Sequence, residues 1–470
     1  MSKPDAIVIG AGPNGLAAAV ELTRAGYFVS ILEANETVGG GARSAELTLP
    51  GFLHDICSAV HPLAINSPAF SQLPLEDYGV EFINPPIALA HPFDDGSAVL
   101  LSRSVDLTAE SLGEDADTYK KLMTPLVESW QQLAEDLLAP PRIPRHPLKV
   151  ARFGFYGIRS AKSFAKGLFR NERTRSLFAG LAAHSFLSLD MHATSAFALV
   201  MATLGHASGW PIPRGGAQKI SDALASYLRN AGAEIRTNIR VSSIEEVPRA
   251  KIILCDITPR QLVEIAGHCF PSKFRKKLER YRNGPGAFKI DWALRGPVPW
   301  KSEECTQAVT VHLGGSFDEI FASERACWRD EPSEKPFVIL AQPSLFDPTR
   351  APEGQHTLWG YCHVPNSSHF DMTERIENQI ERFAPGFREQ VLARHVMSPA
   401  DFERHNPNLI GGDINGGVQD LRQLFTRPTI STYSTPLTGL FICSSSTPPG
   451  GGVHGMCGYN AAHTALRRNY

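Results

Sequence analysis

The sequence predicts an α/β protein: a dinucleotide-binding βαβ unit opens the chain, and a second, α+β domain is interleaved with it. Three observations lead there. An apolar, β-branched run at residues 6–10 meets a turn with glycines at one-three-six spacing (Gly10, Gly12, Gly15). A second strand then closes on Glu33, 18 residues beyond Gly15. Finally, 470 residues are more than one hydrophobic core fills, because single cores stop growing near roughly 250–300 residues.

Each element has a physical reason. AIVIG suits a buried parallel strand. Gly10 permits the tight turn, Gly12 lets backbone approach a pyrophosphate, and Gly15 lets the next helix pack on the strand. Pro13 and Asn14 complete this Rossmann-type turn and are expected to contact the same nucleotide. The helix LAAAVELTR runs to Gly26. Its N-terminus offers free amides and the positive end of its dipole to phosphates. The strand at 28–32 delivers Glu33, which can accept the adenosine ribose hydroxyls and repels a 2′-phosphate. NADP is therefore disfavoured. No second complete nucleotide fingerprint supports a dedicated NAD(P)H site.

Composition narrows the classes further. The content is 43% hydrophobic and 20% charged, with net charge −2. That is an ordinary globular balance with no overall pull toward nucleic acid. Eight scattered cysteines form no CxxC pair and no zinc spacing with histidine. The expectation is reduced thiols, no metal and a cytoplasmic setting. Residues 1–5 are polar and precede the strand directly, so no leader is expected. No apolar run reaches the roughly 18–20 residues that span a bilayer.

Glu33 is followed by ANETVGGGARS, with Gly39, Gly40, Gly41, Arg43 and Ser44. This run resembles the second fingerprint of FAD-containing flavoproteins, a group that includes amine oxidases and phytoene desaturases. The resemblance implies FAD as cofactor, with Gly40 and Gly41 close to the pyrophosphate and ribityl chain and Arg43 along the phosphates. Two further blocks are similar to that group. In residues 209–241 a turn (Arg214, Gly215, Gly216) leads into an amphipathic helix and a strand through Val241. The turn is implied to sit by the flavin, and Val241 to touch the adenine through its backbone. In residues 439–467 a strand runs into a Ser/Pro/Gly loop and a helix from about Gly455. Ser446, Gly451, Gly452 and Val453 are the implied flavin contacts. Many relatives carry an acidic or glycine residue where this chain has Ser444, Ser445 and Ser446.

Four segments narrow the resemblance: 54–68, 205–218, 286–294 and 447–462. Together they look like the phytoene-dehydrogenase-related flavoproteins. That branch holds carotenoid desaturases and isomerases, retinol saturases and the pyridine nucleotide-disulfide oxidoreductase domain-containing protein 2 type. It implies a FAD-dependent oxidoreductase of C–C bonds in a lipophilic, polyene- or isoprenoid-like substrate. Desaturation, saturation and redox-neutral isomerisation all stay open. Amine oxidation is the alternative chemistry, against which the last loop shows glycines where amine oxidases place an aromatic. A non-catalytic lipid- or protein-binding scaffold on the same fold is the alternative of another class, and the intact glycine fingerprints argue against it.

The FAD-binding domain is expected to comprise 1–70, 205–270 and 415–470, and the substrate domain 71–204 and 271–414. Residues 285–295 and 308–313 read as strands, and 371–394 as a helix. The segment 142–175 holds ten Lys/Arg and one acid among phenylalanines. It suits contact with a membrane surface, a solvated basic face, a dimer contact or an anion site. Lys289 is expected, by resemblance, to reach toward flavin N5. His454, His61 and Asp55 could line the same cavity and relay protons. His184 and His206 read as structural.

Overall fold

The computed structural model describes residues 3–468. Two sheets organise them. The first has five parallel strands, in the order Leu440–Ile442, Ile252–Cys255, Ala6–Ile9, Val29–Leu32 and Glu234–Arg236. Its central strand is the first of the chain. Ala6 and Val8 face one core while Ile7 and Ile9 face another. Both faces are thus covered, as a parallel sheet requires.

The helix Pro13–Arg24 follows that strand. Gly10 turns the chain with φ +97°, and a Cβ on Gly15 would lie 2.1 Å from the Gly10 carbonyl oxygen. Only glycine lets the helix start this close. The C-terminal helix Met456–Leu466 packs against it by the same device, since a Cβ on Gly458 would lie 1.8 Å from the Asn14 carbonyl oxygen.

The second sheet has seven strands: Val391–Met397, Gly286–Leu294, His356–Val364, Val338–Ala341, Ala308–Leu313, Ile87–Pro92 and Ala98–Ser102, in spatial order. All neighbours are antiparallel except Ala308–Leu313 beside Ile87–Pro92. Alternate residues sort by face. Phe288, Ile290, Trp292, Leu340 and Cys362 pack with Ile376 and Ile380 of the helix Thr373–Phe383. Ile339, Trp359 and Tyr361 instead join the core shared with the first sheet. The helices Trp130–Leu137, Pro147–Gly157, Glu172–Ala183 and Thr194–Ala207 contribute to that same core.

The expected helix at 371–394 is corrected. Its first part is Thr373–Phe383, but Pro385 and Gly386 (φ +87°) interrupt it. A single turn, Phe387–Gln390, follows, and Val391–Met397 is an edge strand on Gly286–Leu294. Proline breaks the helical ladder, and the β-branched residues beyond it find a strand to pair with. The strand expected to reach Val241 stops at Arg236, because its partner strand ends at Leu32. Val241 follows in irregular chain, half-buried against the outer core. The basic segment 142–175 forms the helices Pro147–Gly157 and Ala161–Leu168 and the start of Glu172–Ala183.

Candidate active site

A cavity of about 500 Å³ is lined by the seven-stranded sheet, by helices and by the loops that follow strands of the five-stranded sheet. One side of it is mostly backbone. Gly12, Pro13, Asn14, Gly40 and Gly41 come from the N-terminal loops, and Ser445, Gly451, Gly452 and Val453 from the last loop. These loops touch. A Cβ on Gly40 would lie 3.0 Å from the Gly12 Cα, and one on Gly451 would lie 2.8 Å from the Asn415 carbonyl oxygen.

The charged residues expected here flank the glycines. The buried Glu33 carboxylate accepts the Ala11 amide at 2.8 Å and both the amide and side chain of Asn35 at 2.8 Å. Arg43 is buried and donates from Nε to the Gly40 carbonyl at 3.0 Å. Burial holds its pKa below the ordinary value, opposed by Glu33 and Cys57.

The cradle fits a nucleotide cofactor. Two buried polar atoms beside it have no partner among the described residues: Asn14 Oδ1 and Asn415 Nδ2. An orphaned buried polar group costs about 1–3 kcal/mol. A bound FAD brings hydrogen-bonding atoms to such groups. Gly12, Asn14, Glu33, Gly40, Arg43 and Gly451 would hold it.

Other expected contacts lie elsewhere. Arg214 forms a two-point ion pair with the exposed Glu81, at 2.6 and 2.8 Å. Gly215 donates its amide to Asp347 at 2.7 Å, and Gly216 packs on Ser44 and Asp55. This turn does not line the cavity. It belongs to a buried clamp in which Arg350 bridges Asp55 (3.0 Å) and Asp347 (2.9 Å). Ser446 turns inward to the Ser444 hydroxyl at 2.6 Å, and Ser445 lines the cavity in its place. Among the described residues, no buried cluster has metal-ligand geometry; the one group that does, Glu245, His268 and Cys269, is exposed.

The three catalytic candidates separate. His61 and His454 both line the cavity. Burial lowers each imidazole to a pKa of about 4, so both are neutral at pH 7. His454 Nδ1 accepts the Met456 amide at 3.0 Å, which ties it to the start of the last helix. His61 has no partner at either ring nitrogen among the described residues. Lys289 is not on the cavity wall. Its ammonium is buried and paired with Asp291, two residues along the same strand. Asp55 likewise serves the Arg350 clamp.

Sequence reasoning missed several lining residues. Trp359 and Tyr361 alternate on the strand His356–Val364 and meet edge to face, with centroids 5.1 Å apart at 70°. His184, read as structural, borders the cavity beside Trp210. Asp256 sits at the glycine turn, and its carboxylate accepts the Gly15 amide at 2.9 Å. The alternating aromatics in LWGYCHV were the one signal that could have exposed the first pair.

A glycine-built nucleotide cradle opening onto a largely apolar cavity is the arrangement of a flavin-dependent oxidoreductase, with FAD as its cofactor. The chain belongs to the flavin containing amine oxidoreductase family, whose family model matches residues 14–264. It is 26% identical to the mouse pyridine nucleotide-disulfide oxidoreductase domain-containing protein 2, over 98% of this chain and 93% of that protein. It is 27% identical to the neurosporene-forming phytoene desaturase of Rhodobacter capsulatus, over 96% and 92%. A solved oxidoreductase from Methanosarcina mazei shares the fold, with a TM-score of 0.68 at 16% identity, over 98% of this chain and 99% of that one.

Proposed function

We propose that the chain oxidises, reduces or isomerises C–C bonds of an apolar, polyene- or isoprenoid-like substrate. The observation that carries this is the character of the cavity wall. Phe153, Phe197, Val200, Met201, Trp210 and Ile339 line it, and the only lining carboxylate among the described residues, Asp256, sits at the glycine turn. The similarity to a phytoene desaturase supports the same reading.

FAD, when bound, supplies the hydride-accepting chemistry. The protein supplies placement and proton handling. The apolar wall excludes water and holds the chain of the substrate. Neutral His61, with both ring nitrogens unpartnered, is placed to take or return one proton at a reacting carbon. His454 positions the last loop through Met456. The amine alternative rests on one observation, the perpendicular Trp359–Tyr361 pair, which offers ring faces to a cation. The test is anaerobic mixing of the FAD-loaded protein with polyenes and with primary amines. Bleaching by amines alone sinks the C–C reading.

Contact with a membrane surface is part of the proposal. On the basic segment, Ile143 (90%), Leu148 (86%) and Phe155 (70%) expose apolar side chains among Lys149, Arg152 and Arg159. Phe153, on the same helix, lines the cavity. A bound lipid surface would thus lie one helix away from the substrate. Flotation with anionic vesicles checks this, and Phe155→Asp with Leu148→Asp is expected to abolish it. No helix among the described residues is long and apolar enough to cross a membrane.

A further inference from the structure

The sheet-side wall of the cavity is not uniformly apolar. Thr310 and Trp359 both line it, 2% and 8% exposed, and neither Thr310 Oγ1 nor Trp359 Nε1 has a hydrogen-bond partner among the described residues. Both sit on the same row of the seven-stranded sheet, each paired with the small Ala341 between them. With strands about 4.8 Å apart, their backbones flank a niche roughly two strand spacings wide. Buried Thr and Trp polar atoms are ordinarily satisfied. Two unsatisfied groups in one row of a cavity wall point to a partner that arrives with the substrate.

His184 adds a third group. Its Nε2 lies 3.0 Å from His312 Nε2, so one ring donates to the other. His312 is fully buried, and its Nδ1 has no partner. That nitrogen faces Gly180, where a Cβ would lie 2.6 Å away. A proton on His312 Nδ1 would be a buried donor with no acceptor, whereas a bare nitrogen there costs less. The proton therefore sits on His312 Nε2 and is donated to His184 Nε2. This leaves His184 protonated at Nδ1, with its ring on the cavity wall and only Val311 separating His312 from Thr310 on their strand. The subsite offers neutral N–H and O–H groups. Among the described residues, the only buried ammonium near this face, Lys289, is already paired with Asp291.

We infer that Thr310, Trp359 and His184 form a subsite for one neutral oxygen, a hydroxyl or carbonyl, on an otherwise apolar substrate. A carboxylate is disfavoured, because an anion buried without a cation is costly. A pure hydrocarbon is disfavoured because it leaves the Thr310 hydroxyl and the Trp359 indole N–H unpaired. The inference rests on the proposed apolar substrate and sharpens it.

The experiment measures dissociation constants of farnesene, farnesol and farnesoate on the FAD-loaded protein, read from perturbation of the flavin absorbance. Farnesol is expected to bind at least about tenfold more tightly than farnesene, the worth of one or two net hydrogen bonds. Thr310→Val and Trp359→Phe should each shrink that preference several-fold, and retention of bound FAD shows that the variants fold. Equal binding of farnesene and farnesol by the unaltered protein overturns the subsite and leaves the apolar reading standing. Tighter binding of farnesoate than of farnesol overturns its neutral character. Failure of all three to bind removes the apolar reading and the subsite with it.

Discussion

The Asp256 carboxylate accepts a hydrogen bond from the Gly15 amide at 2.9 Å, at the start of the first helix, where a pyrophosphate is expected to rest. A Cβ on Gly12 would lie 2.7 Å from the same carboxylate oxygen. An acid thus shares the nucleotide cradle with an anionic ligand.

Burial raises the Asp256 carboxyl to about 7, with the Gly15 amide opposing and Glu33 adding to the rise. Below that pH it is neutral, and above it a second negative charge faces the phosphates. FAD affinity should therefore fall as pH rises through 7, by no more than about tenfold per unit for one linked proton. The folded value lies above the ordinary carboxylate value of about 3.9. The folded state holds this proton longer, so the stability it contributes drains away as pH rises from about 4 to about 7. Titration calorimetry with FAD from pH 6 to 8.5 checks the first effect, and Asp256→Asn should flatten it.

His61→Ala removes a neutral imidazole whose nitrogens have no partner among the described residues. Flavin content should stay the same, while the rate of flavin reduction by substrate falls by about 10²–10⁴, the usual worth of a general base. Stopped-flow absorbance under anaerobic conditions reads both. An unchanged rate would exclude His61 as the proton carrier.

His454→Leu has a different signature. It strands the Met456 amide, which now donates to Nδ1 at 3.0 Å. The cost is about 1–3 kcal/mol of stability, and the last loop loses its anchor at Gly451 and Gly452. Lower thermal midpoint and weaker FAD retention are expected together.

Lys289→Met should act on stability more than on chemistry. Burial works against the Asp291 carboxylate, yet Lys289, His395 and His54 hold its pKa below the ordinary value. Removing the ammonium leaves a buried charge exposed to a cost of about 3–5 kcal/mol. The double variant Lys289→Met with Asp291→Asn should recover much of it. Denaturant unfolding measures the loss. A single variant that unfolds like the parent but reduces its flavin far more slowly would restore the catalytic reading.

Gly15→Ala places a methyl 2.1 Å from the Gly10 carbonyl oxygen at the turn into the first helix, and Gly458→Ala places one 1.8 Å from the Asn14 carbonyl oxygen, where the last helix meets the first. Neither neighbour is a flexible side chain. Both variants should purify colourless or insoluble, judged by the ratio of flavin to protein absorbance.

The nucleotide half was legible because its demands are local. Gly10, Gly12 and Gly15 announce a turn that no other residue makes, and Glu33 falls at the end of a strand whose length the chain itself displays. Gly40, Arg43 and Gly451 were expected through the resemblance to FAD-containing flavoproteins and not from local geometry. Arg214 and Lys289 were misplaced because a charge declares only that it needs a partner. Glu81 and Asp291 supplied those partners, the first 133 residues away and the second two residues along a strand whose face was unknown.

What the sequence determined by itself was the βαβ unit, the class of cofactor and the loops that approach it, because glycine conformations and strand periodicity are properties of neighbouring residues. What only the tertiary structure decided was the wall of the cavity. Thr310, Trp359, His184 and His61 come from separate segments, and which of their polar atoms lack a partner depends on how two sheets and four helices pack around a common space.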